Sequence, residues 1–294
     1  MKKALITGIN GFTGHYMAEE LRLAGYEVIG LGSDAATGVF QCDLLDRSNL
    51  IDLVAQVKPD VVVHLAGISF VAHGDTDAIY RTNVVGTRNL LEAVSKSGSK
   101  PKSVLLASSA NVYGNATVEP IDETVAPSPA NDYAVSKLAM EYMARLWLEK
   151  LPIILVRPFN YTGAGQSSNF LLPKIVDHFR RRAPILELGN LDVVRDFSDV
   201  RSVVKSYLLL VESGLTGGET FNICSGQGYS LQEILQMMRE LSGHNPEIRV
   251  NPAFVRENEV HRLVGSRNKL DNVIGFVPNI PLRDTLKWML ESNV

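Results

Sequence analysis

Thr7-Gly8-Ile9-Asn10-Gly11-Phe12-Thr13-Gly14 is the stretch on which the fold turns. Residues 4–7 before it are apolar and strand-like. Residues 12–24 after it show a helical pattern that Gly25 closes, where a left-handed terminal residue is wanted. Glycines at such a turn permit a tight bend, let backbone approach a pyrophosphate and let helix pack closely on strand, while the first helical turn offers unpaired N–H groups and a positive dipole end. The spacing Gly-x-x-Gly-x-x-Gly also occurs in ordinary glycine-rich turns. Its place between a first strand and a first helix makes this one a candidate for phosphate binding.

Outward from the turn, strand and helix patterns alternate. Residues 27–31 form the next strand, and Leu50, Leu53, Val54 and Val57 mark an amphipathic helix that must stop before Pro59. Val61-Val62-Val63-His64-Leu65-Ala66 then follows without polar alternation, as do 103–107 and 153–156, which is how parallel strands covered on both faces read. Helices near 76–97 and 132–149 separate them. The order predicts an α/β fold with a doubly wound parallel sheet, Rossmann-type, over the first 157 residues. Beyond Arg157 come a Gly/Ser-rich loop at 162–168, a helix near 169–182, a short strand at 185–188 and two further amphipathic helices, which predict a smaller α/β substrate-binding lobe. The expected division assigns 1–159 with 185–215 to a dinucleotide-binding domain, 185–215 adding a strand and helix to the sheet. The lobe takes 160–184 and 216–294.

Composition narrows the function classes. The chain has 294 residues, 45% hydrophobic and 21% charged, which is too ordinary for a disordered, coiled-coil or disulfide-built protein and long enough for about two domains. A net charge of −3, with no basic run longer than Arg180-Arg181-Arg182, argues against a nucleic-acid partner. No apolar run approaches a membrane span or a signal-peptide core, so no membrane partner is expected. Two distant cysteines, Cys42 and Cys224, fit no disulfide framework and no metal ligand set, and the expected compartment is the cytoplasm.

Tyr133-Ala134-Val135-Ser136-Lys137 places a phenol and an ammonium four residues apart on one helix face. A nearby cation favours the phenolate and is expected to lower the tyrosine's pKa, which suits a residue that gives or takes a proton near neutral pH. Such spacings are common in helices and carry little alone. Twenty-four residues before Tyr133, Ser109 follows a predicted strand at the carboxyl edge of the sheet, where open α/β proteins bind ligands.

Together these segments resemble the extended short-chain dehydrogenase/reductase family, over essentially the whole chain. Gly8, Gly11 and Gly14, with Asn10, Phe12 and Thr13, match its dinucleotide turn. Asp43-Leu44 resembles its adenine-contacting pair, and Leu65-Ala66-Gly67 its loop under the pyrophosphate and ribose. Gly32-Ser33 falls where NAD-binding members usually carry an acid, which tilts the expected cofactor from NADH towards NADPH, although Asp34 lies close by. By the same resemblance Ser109, Tyr133 and Lys137 are catalytic, Tyr133 and Lys137 also touch cofactor, Ser108 is structural, and Asn83 supports the site.

Dehydratases of this family place acidic residues immediately after the catalytic Ser or Thr. Here those positions are Ala110 and Asn111, neither of which is a general acid or base, so a reductase or an epimerase remains. Asn160 in Arg157-Pro158-Phe159-Asn160, Asn169, Arg195 in Gly189-Asn190-Leu191-Asp192-Val193-Val194-Arg195-Asp196, and Arg256 and Glu259 resemble substrate-binding residues of the branch that acts on GDP-mannose and its derivatives. The resemblance therefore implies hydride transfer from NADPH or NADH to the C4 ketone of a GDP-linked 4-keto-6-deoxyhexose, giving GDP-D-rhamnose or its C4 epimer. The alternatives are an NAD-retaining nucleotide-sugar 4-epimerase and a non-catalytic dinucleotide-sensing module. Modules of that kind typically lack the tyrosine. A homodimer is expected, because a helix over 133–150 bearing Ala134, Leu138, Met140, Tyr142, Met143, Leu146, Trp147 and Leu148 has more apolar surface than one core stripe needs.

Overall fold

A computed structural model describes residues 1–32, 38–69, 75–254 and 260–292. The elements of the first half are β1 (Lys2–Thr7), α1 (Phe12–Leu23), β2 (Tyr26–Gly32), β3 (Val39–Gln41), α2 (Arg47–Val57), β4 (Val61–His64), α3 (Thr76–Tyr80), α4 (Thr87–Lys96), β5 (Ser103–Ala107), α5 (Asp132–Arg145) and β6 (Ile153–Pro158). There follow β7 (Asn160–Thr162), α6 (Leu171–Arg180), β8 (Ile185–Leu188), β9 (Val194–Asp199), α7 (Val200–Glu212), β10 (Thr220–Ile223), β11 (Gly228–Ser230), α8 (Leu231–Ser242), β12 (Glu247–Val250), β13 (Arg262–Leu263), α9 (Asn268–Ile274) and α10 (Leu282–Glu291).

Seven strands run parallel in the order β10-β6-β5-β4-β1-β2-β3. The unbroken apolar runs are explained by what lies on each side. Ala4, Ile6, Val61, Val63 and Leu105 pack with Met17 and Leu21 of α1 and Val203 and Tyr207 of α7. Their neighbours Leu5, Val62, Val104 and Leu106 pack on the opposite face with Leu50 of α2, Leu90 and Leu91 of α4 and Met140 of α5. Each such fully buried Val or Leu side chain contributes about 1.5–3 kcal/mol. A third core, in which α6, α8 and α10 cover β8 and β9, belongs to the smaller lobe.

Three sequence expectations need correction. The strand at 185–188, expected to extend the main sheet, pairs with β12 instead, and β10 takes the outer place beside β6. The helix expected to reach 150 ends at Arg145, because the backbone tightens there: Leu146, Trp147 and Leu148 donate to carbonyls three residues back. The helix expected over 76–97 is interrupted by a π-helical turn, Arg81–Gly86. As an edge strand β10 has its free side covered, since the Glu123 carboxylate accepts from the Asn222 N–H at 2.7 Å and Lys269 donates to the Thr220 carbonyl at 2.8 Å.

One buried ion pair locks α5 to the strand ends. Arg157 donates to both carboxylate oxygens of Glu141, at 2.9 and 2.6 Å, with side chains 5% and 2% exposed. Ser108, just past β5, donates to the same carboxylate at 2.5 Å. Removing one partner of a buried pair leaves the other charge uncompensated. Glu141→Ala should therefore cost about 3–5 kcal/mol of unfolding free energy, measured by equilibrium urea denaturation; a loss below about 1 kcal/mol would show that the pair is dispensable.

Candidate active site

The carboxyl ends of β1, β2, β5 and β6 open on a cavity of about 1580 Å³ that runs under the smaller lobe. At one end lies the glycine turn. A Cβ on Gly14 would stand 2.2 Å from the Gly8 carbonyl oxygen, so α1 sits directly on the turn, whereas a Cβ on Gly11 would meet only the Gly8 oxygen, at 3.2 Å. The N-terminus of α1 begins at Gly11 with no side-chain cap and no acidic residue in its first turn. Its N–H groups and dipole thus suit a pyrophosphate. Of the residues expected to bind cofactor, Gly8, Gly11, Phe12, Thr13, Gly14, Gly32, Asp43, Leu44, Leu65, Ala66 and Gly67 line the cavity. Asn10 stands behind them, against Gly32. Ser33 and Asp34 lie outside the described residues.

Ser109, Tyr133 and Lys137 meet in the middle of the cavity wall. Ser109 caps a short 3₁₀ turn, Ala110–Tyr113, by accepting from the Asn111 N–H, and Asn131 caps α5 by accepting from the Ala134 N–H, which brings Tyr133 in on the first turn. Lys137, one turn on, donates to the Ala107 carbonyl at 2.8 Å. Burial pushes the Tyr133 phenol up to about 12, and the Ser109 hydrogen bond pulls it partly back. This corrects the expected lowering by Lys137: desolvation dominates. Burial also lowers Lys137 to about 8, against the Glu141 carboxylate, which raises it. Tyr133 is therefore fully protonated near neutral pH, the state a proton donor requires.

Asn83 lies behind this wall, buried in the π-helical turn. Its side chain accepts from the Ile68 N–H at 2.9 Å and donates to the Ile68 carbonyl at 3.2 Å and to Ser136 Oγ at 3.0 Å, tying the 65–68 loop to α5. The position agrees with a supporting role. His64 was not singled out from the sequence, yet it completes this network. Thr87 Oγ1 donates to the Asn83 carbonyl at 2.7 Å, so His64 Nε2 must donate to Thr87 Oγ1, at 2.8 Å, and Nδ1 must accept from Thr7 Oγ1, at 2.6 Å. Burial, with Lys137 adding to it, lowers His64 to about 3 and keeps it neutral. Its only sequence signal was a lone histidine inside an apolar strand.

Toward the smaller lobe, Asn160, Asn169 and Arg195 line the cavity. Asn160 Nδ2 is buried without a hydrogen-bond partner among the described residues, which suits a donor to a bound oxygen. Arg195 donates to the Val194 and His261 carbonyls, each at 3.1 Å. Arg256 and Glu259 lie outside the described residues. Two lining residues had no sequence signal as a pair: Lys174 of α6, whose ammonium stands 4.0 Å from the ring centroid of Phe254. Tyr161, following Asn160, was overlooked too; its hydroxyl is 2.8 Å from Thr13 Oγ1 and its ring stacks on Phe12 at 6.3 Å.

Comparisons with known proteins agree with this geometry. The chain is 38% identical to a GDP-6-deoxy-D-talose 4-dehydrogenase of Aggregatibacter actinomycetemcomitans, covering 93% of this chain and 91% of that protein. It is 34% identical to a GDP-6-deoxy-D-mannose reductase of Pseudomonas aeruginosa, covering 99% and 97%. Among solved structures, a Burkholderia cenocepacia J2315 protein provisionally called an epimerase shares 51% identity at a TM-score of 0.93, covering 99% of this chain and 97% of its own. The structure of RMD from Pseudomonas aeruginosa complexed with NADPH shares 32% at 0.86, covering 99% and 98%. Residues 4–224 match the model of the NAD dependent epimerase/dehydratase family, and with likeness of this extent over nearly the full length, the chain belongs to that family.

Proposed function

We propose that this protein is an NAD(P)H-dependent ketoreductase that reduces the C4 ketone of GDP-4-dehydro-6-deoxy-D-mannose to GDP-D-rhamnose or its C4 epimer. One observation carries the reading. Among the described residues lining the cavity the only carboxylate is Asp43, beside the cofactor turn, whereas Lys137, Lys174 and Arg195 supply positive charge along its length. Among the described residues the reacting centre thus has a phenol to move a proton and no carboxylate for the proton abstraction that elimination of water demands. Relatives named for a GDP-6-deoxyhexose reductase and a GDP-6-deoxyhexose dehydrogenase support the same substrate class.

A bound reduced nicotinamide supplies the hydride. Tyr133 gives its proton to the C4 oxygen, so that ketone plus hydride plus proton yields the secondary alcohol, and Ser109 polarises the carbonyl. Lys137 holds the nicotinamide ribose, and the uncapped end of α1 holds the pyrophosphate. Arg195 and Asn160 bind the sugar nucleotide's diphosphate, Arg195 through a forked guanidinium. Asn169 belongs to the same pocket. Arg256 and Glu259 are assigned to the nucleotide's phosphate and ribose by resemblance alone. Gly32 at the end of β2 favours NADPH over NADH. We assign the seven-stranded sheet and its helices, including α7 and β10, to cofactor binding, and the smaller lobe, including β8, β9 and Arg195, to the sugar nucleotide; the division expected at 185–215 shifts because β8 pairs with β12 while β10 joins the main sheet. Among the described residues no helix is long and apolar enough to cross a membrane. The cytoplasmic placement we propose rests on the two cysteines, Cys42 and Cys224, which are both free.

Supplied with GDP-4-keto-6-deoxymannose and NADPH, the protein should form a 6-deoxyhexose whose C4 configuration NMR reads directly. Supplied with GDP-mannose and oxidised cofactor, it should form no 4-keto sugar. The second reading, a 4-epimerase, draws on the provisional name of the Burkholderia structure and predicts stoichiometric NAD released on denaturation, detectable by mass spectrometry.

Tyr133→Phe should lower kcat by about 10²–10⁴-fold with cofactor affinity little changed, as loss of a general acid does. For the wild type, both the protonated phenol and the charged Lys137 are needed, and Lys137 is the first to be lost as pH rises. The rate of reduction should hold through neutral pH and fall on the alkaline side with a midpoint near 8. An alkaline limb that survives in Lys137→Met would assign it to another group.

Val135, Ala139, Tyr142 and Leu146 share one face of α5 and its continuation, with Tyr142 62% and Leu146 81% exposed, and Val85 lies exposed on the π-helical turn before α4. We propose that this face pairs two copies about a twofold axis. Light scattering at micromolar concentration should give twice 32.3 kDa, and Tyr142→Glu with Leu146→Glu should return it to the monomer value.

A further inference from the structure

Building on the cofactor placement but not on the identity of the sugar, we infer that His64 is a positioning residue for the cofactor: its imidazole joins both anchors of the 65–68 loop and so holds that loop against the glycine turn. The loop is pinned twice. At its start the Ala66 N–H donates to Thr7 Oγ1 at 3.2 Å, and at its end the Asn83 side chain accepts from the Ile68 N–H at 2.9 Å and donates to the Ile68 carbonyl at 3.2 Å. His64, the last residue of β4, stands between the two anchors. Its Nδ1 lies 2.6 Å from Thr7 Oγ1, and its Nε2 lies 2.8 Å from Thr87 Oγ1, whose own proton goes to the Asn83 carbonyl at 2.7 Å. Each hydroxyl has one proton to give, so donation runs from the Ala66 N–H through Thr7 to Nδ1, and from Nε2 through Thr87 to Asn83.

Thr7, His64, Asn83 and Thr87 are all buried, so none of them can turn to solvent for a replacement partner. Without the acceptor at Nδ1, the Thr7 side chain must turn its proton elsewhere, which withdraws its oxygen from the Ala66 N–H. The loop has no slack to absorb this. A Cβ on Gly8 would stand 2.7 Å from the Ala66 nitrogen, and one on Gly67 would stand 2.8 Å from Asn83 Oδ1 and 3.3 Å from Lys137 Nζ. The loop backbone is therefore packed against the phosphate-facing turn on one side and the lysine assigned to the nicotinamide ribose on the other, the two groups between which a bound dinucleotide stretches. A shift at Ala66 is felt as lost cofactor affinity. The imidazole serves as a fixed neutral strut and carries no proton through the reaction.

Variants of the full chain test this through the Kd of whichever of NADPH and NADH binds more tightly, with Tm measured alongside. His64→Phe fills the site and removes both hydrogen bonds, whereas His64→Asn leaves a hole but puts an amide oxygen where Nδ1 accepts from Thr7. Cofactor affinity should fall about tenfold in His64→Phe and return to within about threefold of wild type in His64→Asn, although the hole lowers Tm in the asparagine variant as well. Packing alone gives the asparagine no such advantage. Thr7→Val should repeat the roughly tenfold loss and Thr7→Ser should keep the affinity. Because both sites act through one bond, His64→Phe combined with Thr7→Val should bind within about twofold of either alone. Should the histidine variants fail to fold, the two threonine variants decide the matter. In the wild type, ¹⁵N NMR should find the proton on Nε2 and Nδ1 bare. A proton on Nδ1, an asparagine variant that binds no better than the phenylalanine one, or wild-type affinity in Thr7→Val would overturn the inference. No sugar substrate enters these measurements, so failure to reduce the proposed ketone counts against the substrate and leaves the role of His64 standing.

Discussion

Between β1 and α1 there is no room for a single side-chain carbon, and the remaining architecture follows from that contact. A Cβ on Gly8 would stand 2.7 Å from the Ala66 backbone nitrogen, and one on Gly14 would stand 2.2 Å from the Gly8 oxygen. Gly8 also has a φ of 71°, a conformation that side chains disfavour. With the helix seated this closely, Met17 and Leu21 reach the sheet and α7 packs beside them. The bare backbone of the first helical turn then faces the cavity. Binding surface and hydrophobic core are thus two sides of one close approach.

Opposite the turn, the proposed catalytic side chains are held by polar groups buried within the sheet's other layer. Glu141 collects Arg157 and Ser108, His64 links Thr7 to Thr87, and Asn83 collects Ile68 and Ser136. Every one of these groups is a liability in an apolar interior unless its partners are in place. Here the partners come from different strands and helices, so satisfying them specifies how β4, β5, α4 and α5 meet, and thereby where Ser109, Tyr133 and Lys137 stand.

Much of this was legible in residue order, for stated reasons. Doubly covered strands advertise themselves as unbroken apolar runs, and the glycine turn and the Tyr133/Lys137 spacing are local. What escaped was what depends on distant parts of the chain. Nothing local distinguishes Thr220–Ile223, which joins the main sheet, from Ile185–Leu188, which does not. The direction of the Tyr133 shift depends on burial by the fold, which outweighed the cation one turn away. The π-helical turn that carries Asn83 left no mark on the apolar periodicity.

The outer strand of the main sheet has a consequence for the chain's behaviour in a crowded solution. A sheet edge is a template on which a second polypeptide can continue the ladder, and proteins that leave long apolar edges bare tend to precipitate. At one end of this sheet two outward-facing backbone groups of β10 are already bonded, to the carboxylate of Glu123 and the ammonium of Lys269. At the other end β3 extends for only three residues. The same charged side chains that finish the β10 edge therefore act as a guard against fibre-like growth, and the sheet gains a seventh strand without becoming adhesive.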